Sequence, residues 1–163
     1  MQHVFSERRI RLVYYITLIS VVFIFFCAVL THLLKLNVVR NAFIISLLLV
    51  SVLSHLSKKG KLHITRPIYL VIINLVLTLL CLQTGKYGSA EYMLMITIGI
   101  PFFIYSYRRE KVSLIGFSCV PFILWAIIFI NDFQLFNLKQ LDPERAYDLI
   151  YPLSTLSTIL FVL

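Results

Sequence analysis

The sequence predicts an all-α protein, a polytopic transmembrane helix bundle of five complete spans and a truncated sixth. Three observations carry that prediction. Hydrophobic residues make up 60% of the 163 and charged residues only 13%, against roughly a quarter charged in soluble domains. Mean hydropathy is +0.93. The apolar residues fall into runs close to the ~20 residues that cross ~30 Å of hydrocarbon, and short polar clusters separate the runs. A single helical domain accounts for the whole of residues 1–163, with no room for a soluble one.

The first span is predicted over residues 12–34, behind Arg8, Arg9 and Arg11. It is longer than a signal-peptide core and lacks a small-residue cleavage site, so it reads as a retained helix. The second covers 38–56. The third covers 68–83, with Pro67 in a first turn where its missing N–H breaks no intrahelical bond. The fourth, 92–107, is short and holds Pro101, and the fifth, 112–130, holds Pro121. Each proline removes a backbone bond and is expected to kink its helix, which makes Pro101 and Pro121 candidate hinges. The sixth begins near Tyr147, and from Leu149 it has 15 residues before Leu163, too few for a crossing. No internal repeat, low-complexity tract or heptad run stands out.

A net charge of +8 raises the question of nucleic acid, but the basic residues sit in short clusters between apolar runs, where orientation in a bilayer is set. No nucleic-acid partner is expected; the bilayer is. With a cytoplasmic N-terminus, Arg8, Arg9, Arg11, Lys58, Lys59, Lys61, Arg66, Arg108, Arg109 and Lys111 fall on the inner side. Lys35, Arg40, Lys86, Lys139 and Arg145 fall outside with Glu91, Asp132, Asp142, Glu144 and Asp148. That bias predicts an N-terminus in the cytoplasm. Tyr14, Tyr15, Tyr69, Tyr105 and Tyr107 then lie near the inner interface and Tyr87, Tyr92, Tyr147 and Tyr151 near the outer one, as amphipathic rings prefer. Trp125 falls deep in the fifth span and reads as packing. The longest connection, residues 131–145, is polar, acidic and outward, and suits a lid or surface segment.

Motifs for catalysis are missing from the chain. Cys27, Cys81 and Cys119 lie inside spans without a CxxC pair and read as small buried hydrophobes. His3, His32, His55 and His63 have no metal-ligand spacing, and there is neither a GxSxG elbow nor a phosphate-cradling glycine loop. No catalytic residue, metal or cofactor is assigned. The informative groups are polar ones at membrane depth, which are costly and usually face the bundle interior. Ser51 and His55, four apart, share a helix face and with Asn74 are expected to form a polar seam between helices. His32, Arg40, Asn41, Glu91 and Tyr92 cluster at the outer helix ends. They are expected to line one outward mouth for a small ligand, with Arg40 pairing to Glu91 or snorkelling to headgroups.

The basic N-terminus, six short-looped spans, Ser57-Lys-Lys-Gly-Lys61 followed by Arg66-Pro67, and Tyr107-Arg-Arg-Glu-Lys111 together resemble a group of bacterial membrane domains. These are the N-terminal multi-helix domains that precede sensor histidine kinases and nucleotide cyclases, particularly in Bacteroidota-like bacteria. The resemblance spans nearly the whole chain. It implies a multi-pass sensory input domain in the inner membrane, signalling through its last helix to a cytoplasmic kinase or cyclase, and working as a homodimer. It carries over no ligand-binding residues. The competing class is a small-solute transport component, the substrate-binding subunit of an uptake system. An enzyme acting on lipids ranks last, because the acids all lie in loops or at helix ends.

Overall fold

In the computed structural model, which describes residues 2–135 and 140–162 and, for 2–7 and 157–162, the backbone alone, every regular element is a helix. The chain runs α1 Gln2–Leu33, α2 Asn37–Lys58, α3 Leu62–Thr84, α4 Glu91–Ile96, α5 Ile100–Ile104, α6 Lys111–Ile130, α7 Pro143–Arg145 and α8 Tyr151–Val162. A 3-10 turn, Lys86–Gly88, precedes α4, and a π-helical turn, Ala146–Ile150, joins α7 to α8. Four helices are long and apolar enough to cross a membrane: Arg8–Leu33 within α1, α2, α3 and α6. Lys139 and Leu163 lie outside the described residues.

Helices α1 and α2 form an antiparallel pair whose facing residues recur at alternating steps of four and three. On α1 these are Val13, Thr17, Ser20, Ile24, Cys27 and Thr31, and on α2 they are Val39, Phe43, Ser46, Val50, Leu53 and Ser57. That is a heptad seam, contrary to the expectation of none. Small residues let the two backbones approach, which substitutes for the hydrophobic drive that lipid cannot supply. Thr17 and Thr31 return their hydroxyls to carbonyls one turn back, so no buried donor is left open on them. The turns closing α1, α2 and α6 share one motif. Leu36 N–H donates to Thr31 O, Lys61 N–H to Leu56 O and Phe133 N–H to Ile128 O. The residue before each of these donors is left-handed: Lys35, Gly60 and Asp132. These are Schellman closures.

Helix α3 is the most enclosed element and touches α1, α2, α4 and α6. It begins six residues before the predicted start, so Pro67 lies inside it rather than in its first turn, and the N–H bond toward His63 O is forgone. Tyr69 is not an interfacial anchor. It is buried, and its hydroxyl lies 2.7 Å from Ser20 Oγ on α1. The predicted fourth helix is two pieces. Thr97, Ile98 and Gly99 N–H groups bond three residues back instead of four, and Pro101 sits in the first turn of α5. Proline has no N–H for the Thr97 carbonyl and its ring crowds that carbonyl, so the helix breaks ahead of Pro101 instead of bending at it. By contrast α6 runs through Pro121 as one helix.

The basic clusters of residues 8–11, 58–66 and 105–111 gather at one end of the bundle; the described parts of the acidic connection, residues 131–135 and 140–142, and α7 gather at the other. At that acidic end the Gln83 carbonyl accepts the Leu141 N–H at 2.7 Å, and Gln83 Oε1 accepts the Val39 N–H at 3.4 Å. Buried Gln83 thus ties α2, α3 and the long connection together. No feature of the sequence singled it out beyond its place at the end of an apolar run.

Candidate functional site

The residues expected to share one mouth divide into two groups. Arg40 Nη1 lies 3.5 Å from His32 Nδ1, and its Nε and Nη2 donate to Asn41 Oδ1 at 3.3 and 3.2 Å. His32, Arg40 and Asn41 therefore engage each other at the α1–α2 corner. Glu91 and Tyr92 lie elsewhere, at the start of α4. Arg40 makes no ion pair with Glu91: among the described residues the one ion pair within 4 Å joins Arg66 to Glu110.

Glu91 and Tyr92 line a cleft of about 410 Å³ at the acidic end, with Lys86 beside them and Trp125, Phe129, Asp132 and Phe133 opposite. Trp125 is half-buried and stacks on Phe129, ring centroids 5.5 Å apart and planes at 22°. The α6 spacing of four brings these rings together on one face. Glu91 Oε2 is buried and has no hydrogen-bond partner within the protein. Burial holds this carboxyl, which lies ahead of the apolar stretch of α4, above the usual carboxylate range. A group left in that state favours a ligand bringing a donor, because an unmet buried acceptor costs about 1–3 kcal/mol. The Lys86 ammonium sits over the Tyr87 ring at 5.7 Å instead of on the carboxylate.

The same segment holds the last helix. Ser154 Oγ lies 3.2 Å from the Gly88 carbonyl and 3.0 Å from Tyr151 O, its one proton shared between them, and α4 packs against α8. Gly88 has no space for a side chain: a Cβ there would stand 2.7 Å from Thr84 Cβ and 3.2 Å from Ile150 Cγ2.

Midway along the bundle, Asn74 and Thr97 are both buried. Thr97 Oγ1 lies 2.8 Å from Asn74 Oδ1 and 2.6 Å from Leu94 O, so its one proton is shared between the two acceptors, while Asn74 Nδ2 donates to Leu70 O. The partners expected for Asn74 are not there. Ser51 and His55 are exposed, and Ser51 returns its hydroxyl to Leu47 O on its own helix. The polar residues that α2 turns inward are Ser46, Ser54 and Ser57.

At the basic end, Arg66 Nη1 donates to both Glu110 oxygens, at 2.8 and 3.1 Å, and Glu110 also accepts the Ser106 N–H at 2.9 Å. The guanidinium lies over the Tyr105 ring, 5.6 Å from its centroid, and Tyr105 stacks on Phe117. This pair holds the turn between α5 and α6 onto α3. Cys27 and Cys81 are buried, whereas Cys119 is exposed on α6. Among the described residues no three His, Cys, Asp or Glu side chains converge as a metal centre requires.

Compared with protein-family models, curated proteins and solved structures, the chain matches none.

Proposed function

We propose that this chain is a membrane-embedded signal-input domain that receives a small ligand in the cleft at Glu91 and Trp125 and passes the signal to its last helix. The observation that carries this reading is the shared segment. Lys86, Glu91 and Tyr92 line the cleft, and between them in the chain Gly88 accepts a hydrogen bond from Ser154 of α8. A ligand shifts an equilibrium only where it binds two arrangements differently, and a cleft wall joined to a terminal helix offers such an arrangement. The ligand chemistry that fits is an apolar or aromatic body for the Trp125–Phe129 face and a donor for Glu91.

In this reading the basic end faces the cytoplasm of a bacterial inner membrane. The chain crosses six times, through α1, α2, α3, the interrupted α4–α5, α6 and the segment ending in α8. The output is a cytoplasmic kinase or cyclase beyond α8, working as a homodimer, with the break ahead of Pro101 and the proline inside α6, Pro121, as the hinge points that let α8 shift. The chain's sole tryptophan, Trp125, gives the test. A library of small amines and alcohols is titrated against the purified protein, and a saturable change in Trp125 emission that is lost in E91Q supports the cleft as receptor. A library that leaves the emission unchanged counts against it. Reading the gene past Leu163 tests the output: a kinase or cyclase domain in frame supports it, and a stop codon within a few residues removes it.

One observation favours transport instead. A helix interrupted next to a buried polar pair, here residues 97–99 beside Asn74, is the arrangement that transporters use to expose backbone groups to a solute at mid-membrane. Uptake of a solute by vesicles containing this chain and its neighbouring gene products would select that reading.

A further inference from the structure

We propose that the cleft between the basic ends of α1 and α2 binds the headgroup of an anionic phospholipid. The cleft holds about 400 Å³ and is lined by Ile10, Arg11, Tyr14, Tyr15 and Lys58. Its shape comes from the turn after α2. Gly60 is left-handed at φ 79°, and the chain there doubles back until Gly60 lies against the Ile10 side chain, 3.6 Å from where its Cβ would stand. That fold sets the last residue of α2, Lys58, across from Arg11 on α1.

The described lining is basic, Arg11 and Lys58 standing with two phenols that can donate or accept. A guanidinium, an ammonium and two phenols line it, and among the described side chains, those of residues 8–135 and 140–156, neither Arg11 nor Lys58 has a carboxylate within 4 Å. Glu110, at this end of the bundle, is already engaged by Arg66 and the Ser106 N–H. A phosphodiester satisfies this set: its oxygens take the guanidinium in a fork and the ammonium as a point charge. Basic pockets between membrane helices bind lipid headgroups in this way.

The occupant is a lipid rather than a free anion because the cleft opens onto an apolar track. Tyr15 lines the cleft and begins a stripe on α1, Tyr15, Ile19, Val22 and Phe26, at steps of four, three and four. These residues are 57%, 68%, 66% and 51% exposed, facing away from the α1–α2 seam. A headgroup held by Arg11 and Lys58 lays its acyl chains along that stripe. The site is far along the bundle from the Glu91 cleft, and its binding is measured without reference to orientation or signalling.

The test uses the full chain in a neutral detergent, with native mass spectrometry reading bound lipid. The probes are short-chain phosphatidylglycerol, phosphatidylcholine of the same chain length, and inorganic phosphate. At about 1 kcal/mol per basic side chain near the surface, R11Q and K58Q should each weaken phosphatidylglycerol by about fivefold. R11K should restore most of the loss, and K59Q, in the same turn but outside the cleft, should have less effect than either. Equal retention of the two lipids, or R11Q and K58Q behaving like K59Q, overturns the site. Inorganic phosphate displacing phosphatidylglycerol at comparable concentration overturns the lipid occupant and leaves a free-anion site.

Discussion

Arg66 and Glu110 meet 2.8 Å apart with unequal access to water: the arginine side chain is 7% exposed and the glutamate 34%. The inequality decides which loss hurts more. Glu110→Ala leaves an enclosed guanidinium, whose Nε already lacks a partner, without its counter-ion. Breaking a fully buried pair costs about 3–5 kcal/mol, and the water path beside Glu110 lowers that to about 2–3 kcal/mol. Arg66→Met leaves a carboxylate that keeps the Ser106 N–H and reaches solvent, at about 1 kcal/mol. Unfolding of both variants in detergent checks the order, and the reverse order would contradict the burial of Arg66.

Asn74 and Thr97 form the polar contact at the helix break. Thr97→Val removes the donor to Asn74 Oδ1 and leaves that oxygen buried among apolar neighbours. Hydrogen bonds between membrane helices average about 0.6 kcal/mol and reach about 1.7 kcal/mol. A value near the average is expected here, because the Thr97 hydroxyl also has Leu94 O at 2.6 Å. A double-mutant cycle of N74L and T97V measures it. A coupling indistinguishable from zero would mean that the break is held by Pro101 alone.

The long helices were legible in the sequence because length and apolar content alone decide whether a helix can span lipid, and those are local properties. The α2 boundaries differ from their predicted ones by one residue at the start and two at the end. What the sequence concealed is direction. A helix facing lipid is as apolar outside as inside, so the inward face of α2 was marked by Ser46, Ser54 and Ser57 rather than by hydrophobicity, and Ser51 and His55 form an equally regular polar face that points outward. The heptad seam was hidden for the same reason, half of its positions being Ser, Thr or Cys. The cleft was half legible. Glu91 and Tyr92 begin a helix, as polar residues at a membrane edge do, but their partners Trp125 and Phe129 come from a helix whose rotation only packing fixes. Charge alone lets Arg40 pair with Glu91 or snorkel to headgroups, and in the structure it engages the nearer His32 and Asn41.

Glu91 supplies a pH dependence whose sign is fixed by its environment. Burial raises its carboxyl above the ordinary range, so the folded state binds that proton more tightly than the unfolded state does. The resulting stabilisation is full below the unfolded carboxylate range and is lost as pH rises through the folded value. At about pH 7, above the unfolded carboxylate range, this carboxyl therefore costs the folded state, and Glu91→Gln, which keeps the shape without an ionisable group, should raise the melting temperature. The advantage should shrink as pH falls toward about 4, where wild-type Glu91 is itself protonated. Melting curves of both proteins across that range provide the check, and a wild type that gains on E91Q with rising pH would show the carboxylate to be stabilised instead.

Gly88 and Gly116 make opposite demands on the same added methyl group. At Gly88 a Cβ would lie 2.7 Å from Thr84 Cβ and 3.2 Å from Ile150 Cγ2, closer than the turn or the last helix can accommodate without moving. Overpacking of this kind costs about 1–3 kcal/mol, and the shift would also pull the Gly88 carbonyl from Ser154. At Gly116, within α6, nothing stands within 4 Å, and replacing a helix-interior glycine by alanine stabilises by up to about 1 kcal/mol. Gly88→Ala is thus expected to destabilise and to speed hydrogen exchange over residues 146–156, while Gly116→Ala leaves that segment unchanged and unfolds no earlier than wild type. Exchange followed by mass spectrometry in micelles separates the two. If Gly88→Ala were as benign as Gly116→Ala, the last helix would not be seated on the turn that lines the cleft, and a signal received at Glu91 would have no short route to it.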